Sequence, residues 1–178
     1  FEIADKINSL NLDGVYLLKE SKRNYPYNNL LSHVLGYVGI DNQGLSGIEL
    51  AYDEYLKGED GSIKYYSDGF GKKLEKATVY NSPQSGMNVA LTIDINIQQA
   101  IENELDNVVT KYNPQQALIV VANPKTGEIY GMSSRPNFNP NEYNKYDLET
   151  INRNLPIFNT YEPGSTFKVI SLASSIQE

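Results

Sequence analysis

The chain has 178 residues and a formal net charge of −7 at pH 7, from 15 Lys and Arg against 22 Asp and Glu. This length corresponds to one domain or two small ones, and the acidic balance argues against a nucleic-acid-binding surface, which needs a positive field. Hydrophobic residues make up 40% and charged residues 21% of the sequence, which is typical of a folded protein. The absence of cysteine excludes disulfides, thiolate zinc sites and a thiol nucleophile.

The sequence contains no segment long enough to cross a membrane. Its longest apolar run covers residues 117–122, far short of the ~20 residues that a membrane helix needs. The chain begins with Phe1 and ends at Glu178 within a predicted helix. We therefore expect an excerpt of a longer protein, with any membrane anchor upstream of it.

The first half of the chain is rich in turns and polar residues. Residues 15–18 are apolar after an Asp-Gly turn and predict a strand. Between the glycines of residues 44–58, apolar residues recur every three to four positions and predict a short amphipathic helix. Residues 63–80 predict a hairpin that turns at 67–71. The polar segment 81–86 is a candidate domain boundary.

The second half opens on a predicted short strand over residues 89–91. A long amphipathic helix follows, which Thr92 or Asp94 can cap and which Asn113-Pro114 ends. Its buried face is predicted to consist of five apolar residues: Ile97, Ile101, Leu105, Val108 and Val109.

A second hairpin is predicted after this helix. Residues 117–122 form a continuous apolar strand that we expect to be covered on both faces. Residues 123–127 then turn and residues 128–132 return. Four prolines within residues 133–163 predict loops and short helices, and the apolar spacing after them predicts a buried helix that starts near Ser165.

The strongest chemical signal is Ser165-Thr166-Phe167-Lys168 at the start of this last helix. Side chains three residues apart on a helix share one face. A serine becomes a good nucleophile when a base removes its proton, and a lysine acts as that base in its neutral form, which burial and a helix N-terminus favour. Backbone N–H groups near Ser165 provide a natural oxyanion site. The alternative for the tetrapeptide alone is a capping serine beside a solvated lysine.

The wider context resembles class B penicillin-binding proteins, whose superfamily carries the Ser-x-x-Lys signature. The segment Tyr161-Glu162-Pro163-Gly164-Ser165-Thr166-Phe167-Lys168 is similar to their active-site segment. Five further segments resemble family boxes in the same order. Two of them are similar to segments of the family's non-catalytic pedestal: Arg23-Asn24-Tyr25-Pro26 with His33 and Gly36, and residues 44–58. Three are similar to segments of the transpeptidase domain: residues 91–94 with Gln98 and Glu102, residues 124–129, and residues 135–141.

The resemblance implies the following fold and domains. Residues 1–85 would form part of an α+β pedestal of the dimerisation type. Residues 86–178 would form the N-terminal part of an α/β serine transpeptidase domain of the penicillin-binding and β-lactamase-like fold, truncated after the nucleophile helix. The similarity is greatest to sporulation and division members from low-GC Gram-positive bacteria.

The resemblance also implies the activity. Ser165 would be the nucleophile and Lys168 its base in a peptidoglycan D,D-transpeptidase or carboxypeptidase, which crosslinks stem peptides and is acylated by β-lactams. No cofactor or metal is implied, and nucleic acid is not a partner. The intact enzyme would be anchored in the cell membrane, act outside it and work with division or sporulation proteins.

Two family elements are expected downstream of the nucleophile, a Ser-x-Asn element and a Lys-Thr-Gly strand. Ser9-Leu10-Asn11 matches the first by letters but lies at the wrong end of the chain. Lys125-Thr126-Gly127 matches the second but precedes Ser165, and we interpret it as a hairpin turn. The substrate-binding residues therefore stay unknown, and we expect the 178-residue excerpt alone to be inactive.

Four other residues are candidates for structural roles. His33 is expected to be a structural residue of the pedestal. By resemblance, Arg23, Glu49 and Arg153 form ion pairs where the pedestal meets the catalytic domain, the alternative being ordinary surface charges. The acidic residues of 53–60 fit an exposed helix and turn rather than a calcium site.

Two other functions remain open. The chain could be a non-catalytic scaffold or binding module of a cell-wall assembly complex. It could also be a β-lactam sensor or β-lactamase relative, although the pedestal boxes argue against that. Reaction with labelled penicillin separates the enzyme from the scaffold.

Overall fold

A computed structural model describes residues 2–17, 20–64, 66–69 and 79–177 of the chain. Within these ranges the protein combines mostly short helices with two antiparallel two-stranded sheets. The helices are α1 (Glu2–Ser9), α2 (Ser32–Leu35), α3 (Gly47–Ala51), α4 (Asp53–Leu56), α5 (Ile95–Tyr112), α6 (Leu148–Asn152), α7 (Leu155–Phe158) and α8 (Lys168–Gln177). The strands are β1 (Ser62–Lys64), β2 (Val79–Asn81), β3 (Ala117–Ala122) and β4 (Ile129–Arg135), and 3₁₀ helices cover Pro140–Lys145 and Gly164–Phe167.

The first half matches its predicted elements only in part. The helix predicted within residues 44–58 is split into α3 and α4, because Tyr52 between them has non-helical dihedral angles, with φ −118° and ψ 20°. The predicted strand at 15–18 is wrong for residues 15–17, which have no regular structure, and Leu18 lies outside the described residues.

The hairpin predicted over residues 63–80 is confirmed at its two arms. Strands β1 and β2 pair antiparallel, with Ile63 opposite Tyr80. Residues 70–78, which include part of the predicted turn and most of the returning strand, lie outside the described residues.

The long helix α5 is confirmed with its predicted start and end. The Asp94 carboxylate accepts hydrogen bonds from the backbone N–H groups of Asn96 (2.8 Å) and Ile97 (3.1 Å), so Asp94 is the N-cap. The other candidate, Thr92, donates its hydroxyl to the Ile129 carbonyl instead. Asn113 ends the helix in the left-handed conformation with φ 46°.

Helix α5 packs its apolar face against the β3–β4 sheet. Ile101 and Leu105 are buried in this contact. A Cβ atom at Gly131 of β4 would lie 3.0 Å from the Ile101 side chain, so glycine at this position permits the close approach of helix and sheet. The predicted strand at 89–91, which leads toward this helix, is wrong because these residues pair with no other strand among those described.

The predicted hairpin of β3 and β4 is confirmed, and β4 is longer than predicted. Its turn is closed by a bond from the Lys125 N–H to the Asn123 side chain (2.9 Å), and Gly127 adopts φ 78°. The turn interpretation of Lys125-Thr126-Gly127 is therefore confirmed. The expectation that β3 is covered on both faces is wrong: α5 covers one face only, and Leu118 and Val120 on the other are 45% and 42% exposed.

The buried aromatic core lies between the two halves of the chain. Tyr37 from the first half contacts Phe138, which is 0% exposed, and Ile151 completes the cluster. Tyr143 stacks on Tyr37 with ring centroids 4.5 Å apart. Because these residues come from both sides of the predicted boundary at 81–86, the two predicted domains share this core.

Candidate active site

Ser165 and Lys168 lie at the junction of the second 3₁₀ helix and α8. The Lys168 backbone N–H donates to the carbonyls of Ser165 and Thr166, which continues the helix from one element into the other. In a 3₁₀ helix the side chains at positions i and i+3 eclipse each other. The backbone therefore places the hydroxyl and the amine of this pair on one face.

The turn that carries Ser165 is closed from its own N-terminal side. The backbone N–H of Thr166 donates to the Pro163 carbonyl at 3.1 Å, and the Thr166 hydroxyl donates to the same carbonyl. Gly164 between them has φ 54°, a left-handed conformation that glycine adopts without strain. The sequence Pro-Gly-Ser-Thr thus forms a compact turn immediately before α8.

The burial predicted for this helix is not found. Residues 160–177 are all exposed, and the apolar side chains of α8 are among them: Val169 is 73%, Leu172 63% and Ile176 77% exposed. Lys168 is exposed with them. The spacing correctly indicated an apolar face, but none of the other described residues covers it.

The three charged residues predicted to pair across the domain boundary are not brought together. Arg23 Nε lies 2.7 Å from Glu49 Oε1, but both residues belong to the first half. Glu49 is buried and also accepts a hydrogen bond from the Tyr25 hydroxyl at 3.2 Å. Burial, followed by the Glu49 charge, raises the pKa of Tyr25. Arg153 pairs instead with Glu149, four residues earlier in the chain.

A buried carboxylate, Glu102 on α5, connects the two halves. One of its oxygens accepts from the Gln98 side chain (2.8 Å) and from the backbone N–H of Leu31 (3.4 Å). The other accepts from Arg135 Nη1 at 2.7 Å. Arg135 also binds Asp106. The buried charge is thus paired and hydrogen-bonded, as burial requires.

Gln98 binds the sheet through both ends of its amide. Its Nε2 donates to the Met132 carbonyl at 3.1 Å, and its Oε1 accepts from the Met132 N–H at 3.0 Å. The side chain is 0% exposed. The Gln98 amide therefore satisfies the backbone N–H and carbonyl of Met132 on β4, as a neighbouring strand would.

His33 joins α2 to the second half. Its Nε2 lies 2.8 Å from the Thr150 carbonyl, which can only accept, so Nε2 carries the proton and Nδ1 faces the Ser134 hydroxyl at 3.5 Å. Burial, as the main cause, lowers the pKa of His33. Among the described residues no group of three or more potential ligands could hold a metal ion.

The comparisons with known proteins agree on one family. The penicillin-binding protein dimerisation domain matches residues 1–91, and the penicillin-binding protein transpeptidase domain matches residues 117–178. The chain is 52% identical over 178 residues to stage V sporulation protein D of Bacillus subtilis (strain 168), covering 99% of this chain and 28% of that protein. It is 33% identical over 176 residues to the peptidoglycan D,D-transpeptidase FtsI of Escherichia coli (strain K12), covering 99% and 30%.

A solved structure has the same fold. A peptidoglycan synthetase from Bifidobacterium adolescentis matches with a TM-score of 0.76 and 26% sequence identity, over 99% of this chain and 32% of that chain. The chain spans between 28% and 30% of the length of the two curated relatives.

These matches establish that the chain belongs to the class B penicillin-binding proteins. The predicted family and fold class are confirmed: a dimerisation domain is followed by the start of a transpeptidase domain. None of the described helices is both long and apolar enough to span a membrane.

Proposed function

We propose that this chain is part of a peptidoglycan D,D-transpeptidase, called the intact enzyme below, in which Ser165 is the nucleophile and Lys168 its base. The observation that carries the proposal is the Ser165–Lys168 pair at the start of α8, on one helical face and within the part of the chain that matches the transpeptidase domain. The names of the two curated relatives, a sporulation protein and a D,D-transpeptidase, support it.

The proposed reaction uses the pair in two steps. The neutral Lys168 amine takes the proton of Ser165, whose Oγ attacks the carbonyl of the penultimate D-alanine of a stem peptide. The C–N bond to the terminal D-alanine breaks, and the departing amine takes the proton from Lys168. An amine of a second stem peptide then attacks the ester carbonyl and gives a proton to the neutral Lys168. The C–O bond to Ser165 breaks as Lys168 returns that proton to Oγ, so the peptide bond lost is replaced by a crosslink. A β-lactam acylates the same oxygen through opening of its ring.

The surroundings of the pair fit this chemistry. The Thr166 N–H is bonded to the Pro163 carbonyl. The backbone N–H of Ser165, at the start of the helix, is in a position to stabilise the oxyanion that forms when Ser165 attacks. In the intact enzyme we expect further contacts to cover α8, because its apolar residues are exposed in the present chain.

The proposal extends to the protein's setting. Residues 1–85 form the pedestal, and residues from 86 onward open the catalytic domain. The intact enzyme is anchored in the cell membrane, and its catalytic domain acts outside that membrane. Its partners are peptidoglycan stem peptides, β-lactams and wall-synthesis proteins of sporulation or division. Within the pedestal, Arg23 and Glu49 brace the segment that leads to α2.

A stem pentapeptide assay tests the function. The intact enzyme is expected to release D-alanine and to form a crosslinked product when an acceptor amine is present, and Ser165→Ala is expected to lose both. Thr166→Val is a matched control, since it changes the neighbouring hydroxyl, whose bond to Pro163 is local. Release of D-alanine by Ser165→Ala at the wild-type rate would overturn the proposal.

A further inference from the structure

We propose that Asn159 is a positioning residue for the reaction at Ser165: its side-chain amide holds the segment that leads to the nucleophile against the start of strand β3. This inference rests on the proposed function of Ser165. It concerns a residue for which neither the sequence patterns nor the family matches gave a role.

Both ends of the Asn159 amide are bound. Its Nδ2 donates to Gln116 Oε1 at 2.6 Å, and its Oδ1 accepts from Arg153 Nη2 at 3.3 Å. Gln116 directly precedes β3, and Arg153 ends α6, where it also pairs with Glu149. The amide therefore links three elements, which are α6, the sheet and the chain beyond α7.

The backbone of Asn159 is fixed as well. Its N–H donates to the Leu155 carbonyl at 3.0 Å, which closes α7. Leu155 is only 4% exposed and anchors this short helix to the rest of the protein. Asn159 is thus held by its main chain on one side and by its side chain on the other.

Asn159 is the last anchored residue before the nucleophile. Among the described residues from 160 onward, every recorded hydrogen bond is local to the turn or to α8. Only residues 160–162 separate Asn159 from the closed turn that starts at Pro163. Proline fixes its own φ and restricts the preceding Glu162 to extended conformations. Most of the backbone flexibility between Asn159 and the turn therefore lies at Thr160 and Tyr161.

The two side-chain hydrogen bonds of Asn159, to Gln116 and from Arg153, form what we call the Asn159 clamp. Their chemistry determines which substitutions preserve them. A guanidinium only donates, so the group facing Arg153 must be an oxygen. An aspartate at position 159 offers two oxygens, and Gln116 can turn its own amide to donate to the second one. Asn159→Asp therefore keeps both bonds, whereas Asn159→Ala removes both.

The experiment measures acylation of the intact enzyme by a fluorescent penicillin as a function of its concentration. We expect Asn159→Ala to lower the maximal acylation rate constant by ~10–100-fold, the scale of a small misplacement of reacting groups. The concentration that gives half-maximal rate should change little. Asn159→Asp should restore the rate to within a few-fold, and Gln116→Ala, at an exposed position, should show a smaller loss in the same direction.

Asn154→Ala is the matched control. Asn154 is a half-buried asparagine five residues earlier whose side chain makes one hydrogen bond among the described residues, to the Met132 sulfur. It should acylate at the wild-type rate. Melting temperatures of all variants should stay within about 8 °C of wild type, since a lost hydrogen bond shifts the melting temperature by about 4 °C and Asn159→Ala loses two.

The outcomes separate this inference from the proposed function. If the wild-type enzyme is not acylated at Ser165, the proposed function fails. If the wild-type enzyme is acylated at Ser165 and both Asn159→Ala and Gln116→Ala react at the wild-type rate, only the positioning role fails. The role also fails if Asn159→Ala is slow because it is unfolded while Gln116→Ala is normal, or if Asn159→Asp does not restore the rate.

Discussion

Arg135 of strand β4 and Glu102 of helix α5 form a buried ion pair with 2.7 Å between Nη1 and Oε2. The same guanidinium donates to the Glu102 backbone carbonyl at 3.1 Å, and both side chains are only 11% exposed. Since Glu102 also accepts from the Leu31 N–H, the pair fixes the helix, the sheet and the first half of the chain together.

The first prediction concerns the stability that depends on this pair. Arg135→Met keeps the bulk of the side chain but leaves the Glu102 carboxylate buried without its cation. Removing one partner of a buried pair costs about 3–5 kcal/mol. Urea unfolding of the intact enzyme should show this loss.

The control for that measurement is Lys145→Met. Lys145 pairs with Glu142 at 2.8 Å, but the two side chains are 65% and 47% exposed. An exposed pair of this kind contributes less than about 1 kcal/mol. Equal losses of unfolding free energy for the two variants would contradict the prediction, because they would show that the buried Arg135 pair stabilises the protein no more than an exposed pair.

The second prediction is a pH dependence that originates at His33. Burial holds the pKa of His33 below its ordinary value of 6.5, against the opposing effects of the Thr150 carbonyl and Glu102. Between the folded and the ordinary pKa, the unfolded chain binds more protons than the folded one. The contribution of His33 to the free energy of unfolding is therefore complete above about pH 6.5. It is lost as the pH falls below that value.

His33→Gln isolates this contribution. The free energy of unfolding should fall more steeply for wild type than for His33→Gln between about pH 7.5 and about pH 5.5, since only wild type carries the titrating ring. His33 is the only histidine of the 178 residues, so no other histidine of this chain contributes to the difference. Parallel pH profiles would contradict the prediction.

The third prediction concerns Lys168. Arginine retains the positive charge but does not deprotonate near neutral pH. Lys168→Arg in the intact enzyme should slow acylation by penicillin by at least ~10²-fold, the scale for loss of a general base. Stopped-flow acylation rates test this, and a near-normal rate would show that Lys168 is only structural.

The fourth prediction concerns the 178 residues produced alone. The apolar side chains of α8 are exposed, and Ser165 and Lys168 are exposed beside them. We expect this chain to bind a hydrophobic dye such as ANS and to label slowly and incompletely with penicillin. Rapid, stoichiometric labelling would show that residues 1–178 already contain a complete site.

Local signals in the sequence predicted the second half best. The Asp94 cap and the regular apolar spacing after it located α5, and the Pro-Lys-Thr-Gly turn located the β3–β4 hairpin. These elements depend on interactions among residues close in sequence, which a pattern can reveal.

Features that depend on distant partners were missed. The short apolar segments at 15–17 and 89–91 look like strands but have no partner strand among the described residues. Gln98 lies within an amphipathic helix, and nothing in the spacing indicates that its amide binds Met132. The Asn159 clamp likewise joins residues 43 positions apart. The sequence gives the chemistry of such groups but not their neighbours.

The most direct test of the account is to map the residue that a β-lactam acylates. The intact enzyme is treated with penicillin, digested, and analysed by tandem mass spectrometry. We expect one modified peptide, with the mass of the opened antibiotic on Ser165 and no modification in Ser165→Ala. Modification of another serine, such as Ser171 or Ser174 of the exposed α8, with Ser165 left unmodified, would contradict it.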